Sequence, residues 1–505
     1  MPRTTTTSTR TTSTRRTLAT GAALAAAISL TVGAPHAGAA PTASTATAGS
    51  TATAATAVPM NYAVNVAGAN RGQTLKAERA VTAAGGTVVQ SWAEIGVVVA
   101  QSADPAFAER LRADKAVESV GATRTAAVTS TDPTWGVSDP LRPGEPGRRD
   151  ARTLAERADR SQDVETATTA VPDPREGEQW DLRAIGADAA HQVTDGSRDV
   201  LVAVLDSGIE GDHPDLAPNV DAAASASCLS GVPDSSYAAW QPTTSDHGTH
   251  VAGTIAAARN GVGIVGVAPG VRMSAVKVVN DDGFIFAEAA ICGFMHAAAT
   301  GADITNNSYY IDPWQFWCDD DADQRAVKTA VQRAVEHTRA KGIANVAAAG
   351  NSNVDLANKT VDTSSPNDST PVSRPIGNDC LDIPAEIDGV VTVASTDASG
   401  ARSSFSNYGD GVIDVAAPGR SILSTTLRGG YGLKSGTSMA SPHAAGVLAL
   451  MKSAHPELSG AQLVERLEQQ ATDVPCPATA QQCTGTAERN GFFGEGLVDA
   501  AAAVR

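Results

Sequence analysis

Residues 436–443 read Gly-Thr-Ser-Met-Ala-Ser-Pro-His, a polar start that runs into small and apolar residues. Two other segments have the same character: Asp206-Ser207-Gly208 closes the apolar run Val200–Leu205, and residues 247–254 read His-Gly-Thr-His-Val-Ala-Gly-Thr. Each places a polar side chain at the edge of an apolar element, and a nearby glycine allows another segment of backbone to approach closely. Asp, His and Ser from three separate segments can supply a nucleophile, its general base and the group that orients the base.

The surrounding sequence predicts the fold that presents these segments. From residue 179 onward, apolar strands alternate with helices, which favours an α/β fold with a parallel sheet covered by helices on both faces. In such sheets the functional residues lie where strands end and helices begin. The predicted strands are Val200–Leu205, Val271–Val279, Ile343–Ala348, Val390–Ala394 and Val412–Val415, and the predicted helices include His247–Ala257, Ala287–Ala299 and one over 326–335.

Together the three segments resemble the subtilisin family of serine proteases, in which the triad follows the chain order Asp, His, Ser. The resemblance runs from Gln179 to the end of the chain. It implies that Ser438 is the nucleophile, His247 the general base and then acid, and Asp206 the buried residue that orients the imidazole. It also implies a serine endopeptidase that hydrolyses protein or peptide substrates through an acyl-enzyme, with no cofactor for catalysis.

The same resemblance covers the oxyanion hole. Residues 347–351, Ala-Ala-Ala-Gly-Asn, match the family segment that supplies an asparagine to this site. Asn351 would donate its side-chain N–H to the developing oxyanion, and the backbone N–H of Ser438 at a helix N-terminus would be the second donor.

The expected peptide-binding strands depart from the family pattern. Where the family usually has Ser-Leu-Gly-Gly, residues 308–311 read Ser-Tyr-Tyr-Ile, and Tyr310 and Ile311 should narrow the pocket for P1, the substrate residue that contributes the scissile carbonyl. Ordinary core packing is the alternative interpretation of these aromatic residues. The expected substrate-binding residues are Ser308, Tyr309, Tyr310, Gly283 and Phe284.

A structural Ca²⁺ site is a further implication of the resemblance. Asp215 and Asn260 match family ligand positions, and carboxylate, amide and carbonyl oxygens suit Ca²⁺. A plain hydrogen-bonded turn is the alternative, because the sequence indicates no other acidic ligand. Pro384 matches a proline that is cis in the family, and X–Pro bonds can adopt that isomer.

The N-terminal residues predict export. Residues 1–39 combine a basic start, the apolar stretch Leu18–Gly33 and the small-residue site Ala37-Gly38-Ala39, which is the pattern of a secretory signal, and 40–60 is an Ala/Thr/Ser spacer. Arg15-Arg16 leaves twin-arginine and general export both open. A secreted, extracellular protein makes disulfides plausible; the six cysteines allow 15 pairings, of which Cys476–Cys483 is favoured by its spacing.

Residues 61–128 predict a separate small domain. Their strand–helix–strand–strand–helix–strand order indicates an α+β, ferredoxin-like unit. In size, element order and position it resembles the subtilisin propeptide, which implies a self-processed zymogen whose propeptide assists folding and inhibits the protease domain at 179–505. Residues 129–178 lose all periodicity and are predicted to be a linker.

The composition of the chain argues against several other functional classes of protein. The chain has 505 residues, 42% of them hydrophobic, and a formal net charge of −17. The acidic balance argues against nucleic acid and anionic membranes as partners, and the apolar N-terminal stretch is too short for a membrane span. We expect a monomer. Two alternatives remain open: a catalytically dead binding protein on the same fold, and an esterase or amidase with the same triad.

Overall fold

The computed structural model describes residues 58–129 and 172–505. The predicted signal at 1–39, most of the spacer and residues 130–171 of the predicted linker lie outside the described residues. Within the described ranges the chain forms a small α+β unit and a larger α/β unit that pack against each other.

The small unit is a four-stranded antiparallel sheet with two helices on one face. Its strands pair in the order β2-β3-β1-β4, which confirms the predicted ferredoxin-like arrangement. Tyr62 and Val64 on β1 point to the two helices, where they pack with Val81 and Phe107. The elements are β1 (Met60–Asn65), helix Arg71–Ala83, β2 (Thr87–Trp92), β3 (Val97–Ser102), helix Phe107–Arg112 and β4 (Ser119–Ala122).

The large unit is built on a seven-stranded, all-parallel sheet with the order β13-β12-β9-β8-β5-β7-β6. Two short antiparallel pairs, β10–β11 and β14–β15, lie outside it. The last predicted strand is shifted by three residues, from 412–415 to Val415–Pro418. The strands are β5 (Leu201–Asp206), β6 (Ala226–Ser227), β7 (Arg272–Lys277), β8 (Ile304–Asn307), β9 (Ala344–Ala348), β10 (Val361–Asp362), β11 (Arg374–Pro375), β12 (Val390–Thr396), β13 (Val415–Pro418), β14 (Ile422–Thr426) and β15 (Gly430–Lys434).

Both faces of the sheet are covered by helices, because alternate residues of its strands are apolar on both sides. One face is covered by a first helix pair and the other by a second; the first is His247–Ala256 and Thr437–Ala454, and the second is Ala287–Thr300 and Ala322–Ala340. On β5, Val202 and Val204 belong to the core under the first pair, while Leu205 belongs to the core under the second pair. The other helices of the large unit are Trp180–Ala184, Ala187–Ala190, Tyr237–Trp240, Gly460–Gln469 and Ala500–Ala503.

The large unit begins earlier than the predicted boundary at 179. The Arg175 N–H donates to the Gly263 carbonyl at 2.7 Å, and Glu176 pairs with Arg259 at 2.8 Å. Asp173 is also buried. Residues 172–178, expected to belong to the linker, therefore pack as part of the large unit, because their polar groups find partners there.

Three disulfides cross-link the large unit: Cys228–Cys292, Cys318–Cys380 and Cys476–Cys483. The favoured pairing of Cys476 with Cys483 is confirmed, and the Ile383–Pro384 peptide bond is cis as expected. Across the described ranges, no helix combines the length and apolar character needed to cross a bilayer.

The small unit packs onto the second helix pair of the large unit. Ala63, Ile95 and Val97 from its sheet complete the core beneath helices Ala287–Thr300 and Ala322–Ala340. A Cβ on Gly121 of β4 would lie 2.2 Å from the Asp323 carbonyl oxygen. The two backbones therefore approach so closely that only glycine fits at this position.

Candidate active site

The candidate site lies where the order of the large sheet reverses. After β5 the chain forms β6 and β7 on one side and then β8 on the other, so the crevice between β5 and β8 is a topological switch point. Ligands of open α/β sheets bind at such points, beyond the carboxyl ends of the strands. Asp206 is the last residue of β5, and Ser308 directly follows β8.

His247 forms a hydrogen-bonded pair with the buried Asp206. His247 Nδ1 lies 2.8 Å from Asp206 Oδ1 and 3.0 Å from Oδ2, and the Ser207 N–H donates to Oδ1 at 2.7 Å. A Cβ on Gly248 would lie 2.4 Å from the Gly208 carbonyl oxygen. Glycine after the histidine is therefore what lets the helix start against the end of β5.

Burial and the Asp206 carboxylate shift the pKa of His247 in opposite directions. Burial lowers the pKa of His247, but the charge of the Asp206 carboxylate and its hydrogen bond raise it, and the net pKa lies above the ordinary histidine value. The Asp206 side chain is about 1% exposed, whereas that of His247 is 31% exposed toward the cleft. Asp206 thus orients the imidazole through Nδ1, and the rest of the ring is accessible to a reacting group in the cleft.

Ser438 lies in the first turn of helix Thr437–Ala454 and lines the same cleft as His247 and Asp206. Its Oγ donates to the Ser308 carbonyl oxygen at 3.2 Å, and Ser308 Oγ donates to the Ser438 carbonyl oxygen at 3.0 Å. These bonds tie the helix start to the end of β8. Hydrogen bonds between catalytic groups are often formed only once substrate is bound, and here the Ser438 hydroxyl is engaged by Ser308 in the cleft that His247 also lines.

Asn351 follows β9, and its amide is held in one orientation. Its Oδ1 accepts from the Thr437 N–H at 2.8 Å and from the Thr437 hydroxyl at 3.1 Å. A Cβ on Gly436 would lie 3.6 Å from Asn351 Nδ2 and 3.6 Å from the Ser438 nitrogen. The two expected donors therefore face the same small space, which the missing Cβ leaves open.

The cleft around these residues has a volume of about 380 Å³ and contains the expected substrate-binding residues. Gly283 and Phe284 lie on one wall, with Ser308 and Tyr310 on the other. Tyr309 differs in character: its side chain is 9% exposed, belongs to the core and donates from its hydroxyl to Asn307. Core packing therefore explains the Tyr309 ring, leaving mainly its backbone for contact with a peptide.

Comparison with known proteins identifies the family of this site. A family model described as the subtilase family matches residues 197–496. The chain belongs to the subtilase family. Subtilisin NAT of Bacillus subtilis subsp. natto is 35% identical over 326 residues, covering 65% of this chain and 71% of that protein. M-protease of Shouchella clausii (strain KSM-K16) is 33% identical over 347 residues, covering 68% and 73%.

Solved structures agree with this assignment. The epidermin leader peptide processing serine protease of Staphylococcus aureus has a TM-score of 0.63 at 21% identity and covers 88% of this chain and 98% of its own, which shows the fold. A protease of Pseudoalteromonas arctica PAMC 21717 has a TM-score of 0.52 at 29% identity, covering 66% and 99%. This subtilase is a serine endopeptidase, a hydrolase that acts on protein or peptide substrates.

The expected calcium ligands of this subtilase lie in one loop cluster. Asp215 is fully buried; its Oδ2 accepts from the Ile264 N–H at 3.0 Å, while its Oδ1 has no hydrogen-bond partner among the described residues. Asn260 donates from Nδ2 to the Pro214 carbonyl oxygen at 3.0 Å.

Sequence reasoning missed a third residue of this cluster. Asp173 accepts the Gly261 N–H at 2.7 Å with Oδ1, while its buried Oδ2 is another carboxylate oxygen without a partner in the described ranges. Burial raises the pKa of Asp173, and the nearby charge of Asp215 raises it further. Two neighbouring carboxylates, each with one oxygen that has no hydrogen-bond partner among the described residues, fit a cation such as Ca²⁺. No three His, Cys, Asp or Glu side chains of the described chain meet as a metal centre, so amide and carbonyl oxygens would complete the set.

Proposed function

We propose that this subtilase is made as a secreted, self-processed zymogen, and that Asp206, His247 and Ser438 are its catalytic triad. The observation that carries the proposal is the meeting of these three side chains at the switch point of the sheet, with the His247–Asp206 hydrogen bond of 2.8 Å already formed. Asn351 beside Ser438 completes the set, which argues against a catalytically dead binding protein.

The proposed mechanism follows from the position of each group. Neutral His247 takes the Ser438 proton while Oγ forms a bond to the scissile carbonyl carbon, and the carbonyl oxygen becomes an oxyanion held by Asn351 Nδ2 and the Ser438 N–H. His247 then gives the proton to the leaving amine as the C–N bond breaks. Water, deprotonated by His247, hydrolyses the acyl-enzyme and restores Ser438. Asp206 keeps the imidazole in the required tautomer and stabilises its charged form.

The small unit is proposed to be the propeptide. Support comes from the contacts at its exit: Arg124 forms an ion pair with Glu288 inside the interface, and its guanidinium lies 3.8 Å from the centre of the Phe286 ring. Asn61 donates to the same Glu288 carboxylate at 2.8 Å. Arg124 also lines a small pocket that shares Phe284 with the main cleft. The small unit thus reaches the end of the cleft, from where it can inhibit.

A bound Ca²⁺ is proposed to have a structural role. Asp173, Asp215 and Asn260 would hold it and fasten the first residues of the protease domain to the loop at 260–264. None of these residues belongs to the proposed catalytic groups, so the Ca²⁺ would take no part in the chemical steps.

A fluorophosphonate probe, which reacts with an activated serine, tests the proposed nucleophile. We expect one covalent adduct, located on Ser438 by peptide mass spectrometry, with loss of peptide hydrolysis in proportion to labelling. Ser441→Ala, a buried serine one turn further along the same helix, is the control and should still be labelled. An adduct on another serine, or unimpaired hydrolysis after complete labelling of Ser438, would refute the assignment.

A further inference from the structure

The floor of the cleft contains a buried acidic residue that the proposed mechanism does not use. If the scissile carbonyl lies between Asn351 and Ser438, as the proposed function requires, the P1 side chain points between the ends of β8 and β9. The residues after these strands, Ser308–Tyr310 and Gly350–Asn351, are then the two walls of its pocket.

Asp382 lies below and between these walls. The Ile311 N–H donates to the carbonyl oxygen of the adjacent Ile383 at 2.9 Å, which ties the Asp382 segment to the first wall. On the second wall, a Cβ placed on Gly350 would lie 3.4 Å from Asp382 Oδ2. Asp382 is 1% exposed, and among the described residues neither of its carboxylate oxygens has a hydrogen-bond partner.

The charges around Asp382 do not balance. The Lys359 ammonium is engaged elsewhere, by Glu386 Oε1 at 2.5 Å and the Leu356 carbonyl oxygen at 2.8 Å. Glu386 Oε2 accepts the backbone N–H of Asp382 at 2.7 Å. Lys359 thus lies between two buried carboxylates, and the buried Lys328 acts on Glu386 alone of the two. Burial and the charge of Glu386 raise the pKa of Asp382, although Lys359 opposes them. A buried carboxylate without a partner is costly, so a positive charge placed beside Asp382 would stabilise its ionised form.

The open cleft above Asp382 is also lined by negative charge. Asp206, Asp281 and Asp312 lie along it, and none of its described lining residues is Lys or Arg. Tyr310 lines the open cleft, and its hydroxyl accepts a hydrogen bond from Asn367 Nδ2 at 3.0 Å.

We propose that Asp382 is the base of the P1 pocket and that it selects substrates with lysine or arginine at P1. The ammonium or guanidinium group of the substrate supplies such a positive charge and the hydrogen-bond donors that both carboxylate oxygens lack. This inference rests on the proposed function, because it assumes the position of the scissile bond at Ser438.

Two peptides that differ only at P1 test the proposal on the full chain as exported. One has lysine and the other norleucine, which keeps the aliphatic chain but lacks the amine. Losing one partner of a buried charge pair costs enough to change affinity at least about thirtyfold. We therefore expect kcat/KM for the lysine peptide to exceed that for the norleucine peptide by about that factor. Asp382→Asn should bring the ratio toward one, while Asp388→Asn, whose side chain is 95% exposed, should retain it.

Equal or faster Ser438-dependent hydrolysis of the norleucine peptide by the unmodified protein would overturn the inference and leave the proposed function intact. This comparison needs no variant, so it decides the matter even where Asp382→Asn fails to fold. Hydrolysis that persists in Ser438→Ala would overturn the proposed function, and the P1 assignment with it.

Discussion

At the scale of single residues, the proposed mechanism makes the pH dependence of the enzyme follow the protonation state of His247. Only the neutral imidazole can accept the Ser438 proton, so activity is lost as pH falls through the pKa of His247. Because Asp206 raises that pKa above the ordinary value of 6.5, the acid limb of kcat/KM should be centred above pH 6.5.

Asp206→Asn checks the cause of that shift. Without the carboxylate the pKa of His247 should fall, so the acid limb should move to lower pH, and kcat should drop about 10⁴-fold because the tautomer is no longer held. Asp246→Asn is the matched control, since Asp246 raises the pKa of His247 only weakly. An acid limb of the unmodified enzyme centred below pH 6.5, with chemistry rate-limiting, would contradict this explanation.

Asn351 provides a second test at this scale. Asn351→Leu removes the side-chain donor while keeping the volume, and we expect kcat to fall about 10²–10³-fold, the range measured in subtilisin itself, with KM little changed. Gly436→Ala should also lower kcat, because its Cβ would lie 3.6 Å from both donors. A kcat within threefold of the unmodified enzyme in Asn351→Leu would show that Asn351 is not an oxyanion donor.

Sequence motifs picked out the residues that meet in the cleft because each motif is local. A polar residue, its glycine neighbour and the adjoining apolar element are contiguous, so the strand or helix end can be read from a few positions. Asp173 and Asp382 could not be found this way. Asp173 acquires its role only when residues 172–178 fold back onto the loop at 260–264, and Asp382 only when its segment pairs with Ile311.

At the scale of elements, the N-terminal segment of the protease domain is fastened by polar contacts more than by apolar packing. Asp173 and Glu176 attach it to the loop that contains Asn260. Apart from the two-residue β6 and the polar β8, sequence periodicity predicted the strands of the large sheet and the long helices to within a few residues, since burial imposes their patterns. It missed this segment because a short irregular stretch has no period to detect.

Calcium binding tests the role of that segment. A ligand bound to the folded state alone stabilises it by about 2.7 kcal/mol at a hundredfold excess over Kd, which corresponds to roughly 4 °C in Tm for a domain of this size. Calorimetry in Ca²⁺ and in a chelator should show this difference. Asp215→Asn should abolish it, and the exposed control Asp388→Asn should leave it unchanged. Equal Tm values with and without Ca²⁺ for the unmodified protein would contradict calcium binding. The loop cluster would then be a plain hydrogen-bonded turn.

At the scale of the whole molecule, the small unit and the protease domain share one core and one buried ion pair. The small unit also has an apolar core of its own around Tyr62, Val64 and Phe107. Residues 58–129, made separately and checked for folding by circular dichroism, should therefore inhibit the processed enzyme in trans.

Two variants of that fragment locate the inhibitory contact. Arg124→Ala leaves Glu288 buried without its cation and should weaken inhibition at least about thirtyfold. Arg79→Ala removes the same charge from an exposed position on helix Arg71–Ala83 and should inhibit like the unmodified fragment. A folded fragment that leaves initial rates unchanged at large molar excess would exclude the propeptide role without affecting the triad.

The most direct test of the central claim, a self-processing protease with Ser438 as nucleophile, is the intact mass of the full chain after expression and export. The Pro-, Arg- and acid-rich sequence at 130–171 is a natural site of cleavage, and residues from 172 onward pack with the protease domain. The unmodified chain should therefore be cut between residues 129 and 172, and Ser438→Ala should keep residues 58–505 in one piece. Identical cleavage of Ser438→Ala in a protease-deficient host would contradict the account.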